Sequence, residues 1–274
     1  MKDLFDLTGR TAVITGGSGF LGVQHARSLL QKGCAVIIWD INLLAMEEAR
    51  AKLSSEFPSQ SIQIREIDVS SEREVMNEIM YFESNSVVLD ILINNAAINP
   101  KFDNVSPDKS SHFESYSIET WNKEIGVGLT GAMLCSKHVG SHMANKGGGV
   151  ILNISSDLSV ISPDQRIYER PGIPKELQFR KPVSYSVIKA GLVGLTRFLA
   201  TYWAEANIRV NSLSPGGVYE NQDSVFVENL VSRIPMSRMA KFDEYVGAIQ
   251  FLCSDASEYM TGQNIVIDGG RTVW

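Results

Sequence analysis

Thr15-Gly16-Gly17-Ser18-Gly19-Phe20-Leu21-Gly22 follows directly on the β-branched run Thr11–Thr15 and opens a helix-like stretch, Phe20–Gln31. A strand that passes through such a turn into a helix is the start of a βαβ unit. Glycines at Gly16, Gly19 and Gly22 allow a tight turn and let backbone N–H groups approach a pyrophosphate, with the positive end of the helix dipole behind them. Taken alone, the turn is equally a plain strand-to-helix connection. The strand before it and the helix after it favour a dinucleotide site.

The alternation continues outward from that turn. Strand-like runs are Ala35–Trp39, Ile62–Ile67, Val87–Ile93, Val150–Ile154, Ile208–Leu213 and Asn264–Ile267, with helix-like stretches Leu43–Glu56, Ser71–Ser84, Ile118–Asn145, Tyr185–Glu205 and Asp243–Ser254 between them. Continuously apolar strands are covered on both faces, and strict alternation implies a parallel α/β sheet with right-handed crossovers. No linker, repeat or low-complexity tract divides the 274 residues, so one domain is expected. Two stretches break the rhythm: residues 157–182, which hold Pro163, Pro171, Pro174 and Pro182, and residues 215–236. Loops of that length in compact domains are usually functional or disordered.

Composition narrows the class of protein. With 44% hydrophobic and 20% charged residues the chain reads as an ordinary globular protein, and a net charge of −6 without a basic stripe argues against nucleic acid. No apolar run reaches membrane-spanning length. The opening residues MKDLFDLTGR carry two acids and no apolar core, so no secretory signal is expected. Cys34, Cys135 and Cys253 are far apart and odd in number, which predicts reduced thiols in a cytoplasmic protein.

Three further features carry chemistry. The second strand ends at Asp40, where an acid can accept hydrogen bonds from the ribose hydroxyls of an adenosine. No Lys or Arg lies in the glycine turn or at Ile41 and Asn42 to balance a 2′-phosphate, so NAD is expected over NADP; a helix cap is the other reading of Asp40. Asp68-Val69 ends the third strand, either reaching an adenine or capping the next helix. Tyr185 and Lys189 stand at i, i+4 on one helix face. A neighbouring ammonium favours the phenolate of a tyrosine, so the pair can serve as a general acid/base.

Together with Asn94-Asn95-Ala96-Ala97, Asn153-Ile154-Ser155-Ser156, Ser214-Pro215-Gly216 and Asp268-Gly269-Gly270, these motifs occur in an order that resembles the short-chain dehydrogenase/reductase family over nearly the whole chain. The resemblance implies a Rossmann-type doubly wound parallel sheet of about seven strands. It implies that Tyr185 exchanges a proton with the substrate oxygen, that Ser156 hydrogen-bonds that oxygen, and that Lys189 holds the nicotinamide ribose and tunes Tyr185. Cofactor contacts are implied at Gly16, Ser18, Gly19, Phe20, Leu21, Gly22, Asp40, Asp68, Val69, Asn95, Ala96, Ala97, Pro215, Gly216 and Val218, with Asn94 lining the channel. The resemblance also points to a homotetramer or homodimer. The apolar helix at Tyr185–Glu205, with Gly191 and Gly194, is the expected contact, and Val273 and Trp274 a second.

Three departures stand out. The family's usual glycine pattern would place Gly at position 20, where this chain has Phe20; the turn is similar to that of the larger sugar-nucleotide branch. Gly128 occupies the position of the family's helical Asn, and Gly126 and Gly131 flank it. Glycine weakens a helix, so a bend is expected there, with open space beside Lys189 for ordered water. Ser156 and Tyr185 are 29 positions apart, farther than the family's usual interval, because residues 157–182 intervene.

The leading expectation is an NAD-dependent oxidoreductase acting on a secondary alcohol or ketone of a small polar, sugar-like substrate, with a looser resemblance to oxidoreductases of flagellin-glycan and nonulosonic-acid pathways. The alternatives are a sugar-nucleotide epimerase or dehydratase, and a non-catalytic dinucleotide sensor. The long loop is expected over the cleft, with Arg166 or Arg170 on the substrate. His138 and His142 have metal-ligand spacing but no third ligand, and read as a solvated helix face with no metal.

Overall fold

In the computed structural model, which describes residues 3–98 and 108–274, the predicted runs form one seven-stranded sheet, parallel throughout, in the order β3-β2-β1-β4-β5-β6-β7. The strands are β1 (Thr11–Thr15), β2 (Ala35–Asp40), β3 (Ile62–Glu66), β4 (Ile91–Asn94), β5 (Gly149–Ile154), β6 (Ile208–Pro215) and β7 (Asn264–Ile267). The helices are α1 (Phe20–Leu30), α2 (Leu43–Glu56), α3 (Glu72–Ser84), α4 (Ile118–Ile125), α5 (Gly131–Lys146), α6 (Val183–Tyr202), α7 (Ser224–Val231) and α8 (Val246–Cys253).

Side chains alternate across the sheet, and each face packs against helices. Val36 and Ile38 of β2 point into a core with Leu29 of α1, Met46 of α2 and Ile249 of α8. Ile37 and Trp39 point into a second core with Val75 of α3, Val139 of α5 and Leu199 of α6. Each fully buried side chain of this kind contributes roughly 1.5–3 kcal/mol of hydrophobic stabilisation. Cys34, Cys135 and Cys253 are buried free thiols.

Strand order runs outward in both directions from the β1–β4 pair. That reversal opens a crevice beyond the carboxyl ends of β1 and β4, where open α/β sheets bind ligands. The glycine turn leaves β1 there, and Asn95-Ala96-Ala97 leaves β4.

Several boundaries differ from the sequence pattern for physical reasons. The long stretch Ile118–Asn145 is two helices joined by a π-helical turn, Gly126–Thr130, where the glycines stand. The stretch 215–236 contains α7, started by Asp223, whose carboxylate accepts from Val225 N and Phe226 N. Residues 157–182 contain three short 3-10 turns, Asp157–Ser159, Gln165–Tyr168 and Lys175–Leu177. The middle turn buries Ile167 and Tyr168 in a small core with Leu230, Ile234 and Met239. α6 is the one described helix long and apolar enough to cross a membrane, yet in this fold it packs on β6 and buries Ser184, Lys189 and Thr196.

Candidate active site

The glycine turn is held from both sides. Gly16 has φ +59°, and a Cβ there would lie 2.8 Å from Ala96 Cα. Asn95 Nδ2 donates to the carbonyls of Thr15 and Gly16, both at 3.0 Å, while Thr15 Oγ1 accepts from Asn95 N and Ala96 N. α1 begins after Gly19, which offers no side-chain cap, so its first N–H groups remain available to an anion. Asp40 Oδ2 accepts from Ser18 Oγ at 2.6 Å and Ser18 N at 3.2 Å, and its Oδ1 accepts from the amides of Ile41 and Asn42. The cap of α2 is Asn42, accepting from Ala45 N, so Asp40 is not a helix cap. The uncapped helix, the tight glycines and the oriented carboxylate fit a dinucleotide.

A cavity of about 480 Å³ runs from this turn to the carboxyl ends of β5 and β6, a size suited to a small ligand. Gly16, Gly19, Phe20, Leu21, Gly22, Asn95, Ala97, Ser156, Tyr185, Lys189, Pro215, Gly216 and Val218 all line it. Ser156, just past β5, hydrogen-bonds Tyr185 of α6 despite the 29 intervening positions. Lys189 Nζ lies 5.6 Å from the Tyr185 ring centre and donates to Ile154 O at 2.7 Å. Burial lowers the Lys189 ammonium to about 8, with Lys181 adding repulsion. Burial also raises the Tyr185 phenol, against its hydrogen bond with Ser156.

A family model described as short chain dehydrogenase matches residues 10–168, and one described as Enoyl-(Acyl carrier protein) reductase matches residues 175–272. The chain belongs to the short-chain dehydrogenase/reductase family. Such a chain is an NAD(P)-dependent oxidoreductase with the Rossmann-like sheet described above. This short-chain dehydrogenase/reductase is 32% identical over 271 residues to cis-4-hydroxycyclohexanecarboxylate dehydrogenase of Sinomonas cyclohexanicum, covering 96% of each chain. It is 30% identical to a gluconate 5-dehydrogenase from Burkholderia cenocepacia, solved with NADP and tartrate, at a TM-score of 0.83 and covering 99% and 98% of the two chains. A short chain dehydrogenase from Leptospira borgpetersenii, solved with bound NAD+, is 33% identical at a TM-score of 0.84, covering 99% and 96%.

Some residues expected at the site lie elsewhere in this short-chain dehydrogenase/reductase. Arg166 is exposed and pairs with Asp164 at 2.8 Å; Arg170 is tied through its backbone N to Gln178 Oε1; neither lines the cavity. Asp68 accepts from Ser70 N and Oγ, and Ser71 caps α3 in its place. Val69 packs on Gly131 and does not line the cavity, whereas Ala96 stays at the crevice, against Gly16 of the glycine turn. Asn94 is buried between the sheet and α5, donating to Asn153 Oδ1 at 2.8 Å and Ser136 Oγ at 3.0 Å, and it does not line the channel. His142 is no solvated face: it is 1% exposed, and Leu89 N points at its Nε2, while His138 pairs with Glu72. The space predicted beside Gly128 is filled by Ile188.

The cavity also holds side chains that the motifs did not single out: Asp157, Tyr168, Lys181 and Arg271. Lys181 Nζ stands 3.7 Å over the Tyr185 ring centre, and burial lowers it to about 8. Its i−4 spacing from Tyr185 was the available signal, hidden by the proline-rich context before α6. The loop therefore does cover the cleft, through Ile167, Tyr168, Phe179 and Lys181 rather than through its arginines.

Proposed function

We propose that the protein oxidises a secondary alcohol of a small sugar-like hydroxy acid or polyol, with NAD preferred over NADP. The observation that carries this reading is the convergence of Ser156, Tyr185 and Lys189 on one cavity wall, continuous with the glycine turn. When bound, the cofactor supplies the hydride acceptor. Gly16, Gly19 and the amide end of α1 would hold its pyrophosphate, and Asp40, turned by Ser18, would accept from the adenosine ribose. Tyr185 takes the hydroxyl proton as the carbinol hydride leaves. Ser156 would hydrogen-bond the same oxygen, and Lys189 would hold the nicotinamide ribose and favour the phenolate.

Support for a polar, acidic substrate comes from the cations in the wall, Lys181 and Lys189, and from the hydroxy acid that the Sinomonas relative is named for. Nothing in the site favours an epimerase or a sensor. A panel of sugar acids, polyols and apolar alcohols, followed by NADH formation, tests the reading. Activity confined to apolar alcohols, or full activity in Tyr185→Phe, would sink it.

We further propose a homotetramer or homodimer formed through α6. Phe198 and Tyr202 stack on each other there while 61% and 67% exposed, and Gly194 leaves open space for close approach. A monomer by light scattering at micromolar concentration would contradict this.

A further inference from the structure

The residue after Ser156 is a buried acid wired to the end of the chain. Asp157 Oδ1 accepts from Ser156 Oγ at 2.8 Å and from Leu158 N at 2.9 Å. Its Oδ2 accepts from the Arg271 guanidinium at 2.6 Å, and the two side chains are 4% and 7% exposed. Arg271 reaches this point because the chain reverses after β7. Gly269 and Gly270 take φ +67° and +90°, and both carboxylate oxygens of Asp268 hold the turn through Gly270 N and Thr272 N. A charge pair withdrawn from water is weak evidence for stability, since apolar residues of similar volume often serve as well. Its place on the wall beside Tyr185 points to a role in the site.

We propose that Asp157 and Arg271 are positioning residues for the reacting tyrosine: Asp157 holds the Ser156 hydroxyl, and Arg271 cancels the charge that Asp157 would otherwise set beside Tyr185. The Ser156 hydroxyl has one proton and two claimants, the Asp157 carboxylate and the Tyr185 oxygen. While Asp157 keeps it, Ser156 offers Tyr185 or a substrate hydroxyl a lone pair. When Tyr185 ionises, the hydroxyl can turn to the phenolate. Arg271 sets how strongly Asp157 competes.

Charged and titratable groups face Tyr185 from every side. Lys181 lies over its ring from the loop before α6, and Lys189 lies one helical turn along α6. Asp157 comes from the turn after β5, and Tyr168 from the middle of the covering loop. Glu124 of α4 acts at one remove, through Lys181. Among the described residues, Asp157 is the one anion acting directly on Tyr185, so the pair's balance bears on the phenol with a predictable sign.

This inference rests on the reading of Tyr185 as the proton-exchanging residue, and its test is independent of turnover. Alkaline titration of the phenolate ultraviolet band in the full-length protein, with Tyr185→Phe in each background as the blank, reads Tyr185 alone. Asp157→Asn should lower its midpoint by about one unit, and Arg271→Gln should raise it by about as much. The double variant should return close to the parent, and Arg271→Lys should stay near it. If Arg271→Gln alone fails to fold, the Asp157→Asn and double variants still decide the matter. An unmoved or raised midpoint in Asp157→Asn, or a double variant no nearer the parent than Asp157→Asn, overturns the proposal. Should the series shift as stated while Tyr185→Phe keeps full dehydrogenase activity, the functional reading fails and the electrostatic pairing stands.

Discussion

Gly128 packs face to face with Ile188: a Cβ added to the glycine would lie 2.8 Å from Ile188 Cγ2 and 3.1 Å from its Cδ1. Ile188 precedes Lys189, so anything larger at position 128 pushes on the residue next to the ammonium. Gly128→Asn is expected to destabilise the fold by about 1–3 kcal/mol, the range for overpacking, and to lower kcat. Adding Ile188→Val should recover part of the loss, because the two sites share one contact. Thermal melts of the two single variants and the double check this. A hundredfold gain in kcat in Gly128→Asn would show instead that the packing yields and that a side chain is wanted there.

Asp40 is turned toward the glycine turn by Ser18, with no basic side chain in that turn. Asp40→Ala should narrow the preference for NAD over NADP by removing the charge that repels a 2′-phosphate. Calorimetric titration of both cofactors measures it, and tighter NADP binding by the unaltered protein would contradict the assignment.

Arg166 shares Asp164 with Arg233, which pairs at 2.7 Å, and its own side chain is 75% exposed. Solvent screens an exposed pair of this kind, so it contributes little. Arg166→Ala should therefore leave KM within about twofold of the parent. Lys181→Gln should raise KM for an acidic substrate about tenfold or more, roughly 1.4 kcal/mol, and leave NAD affinity alone. Steady-state kinetics on an active sugar acid separates the two, and equal effects would remove Lys181 from the substrate site.

His25 is 2% exposed in α1 and hydrogen-bonds Asn95, which in turn pins the glycine turn. Burial lowers it from 6.5 to about 4, against the Asn95 hydrogen bond. The unfolded chain therefore binds a proton that the folded chain refuses between those values. The stability due to neutral His25 is complete above pH 6.5 and is lost as pH falls toward 4, a change of about 3 kcal/mol. His25→Gln should flatten the acid limb of the melting temperature between those pH values. An unchanged limb would place the acid sensitivity elsewhere.

The local pattern along the chain was enough to determine the sheet. Strand runs covered on both faces, such as Ala35–Trp39, and the glycine turn after β1 are set by neighbours in sequence, so the parallel α/β layout and the cofactor end of the cleft were legible. So was the pairing of Tyr185 with Lys189, because one helical turn fixes it. The folded structure alone decided which residues meet across large separations. Ser156 reaches Tyr185 only because the intervening loop folds back on α7, and Arg271 reaches Asp157 only because two left-handed glycines reverse the chain after β7. Arg166 and Lys181 carry the same charge in the same loop, yet one turns to water and the other to the Tyr185 ring. His142 turns inward where its helix looked solvated, and Ile188 closes the space that Gly128 seemed to leave. Spacing along the chain says what a helix face or strand end presents. Which neighbour fills the facing volume depends on packing between distant segments, and that information exists only once they are folded together.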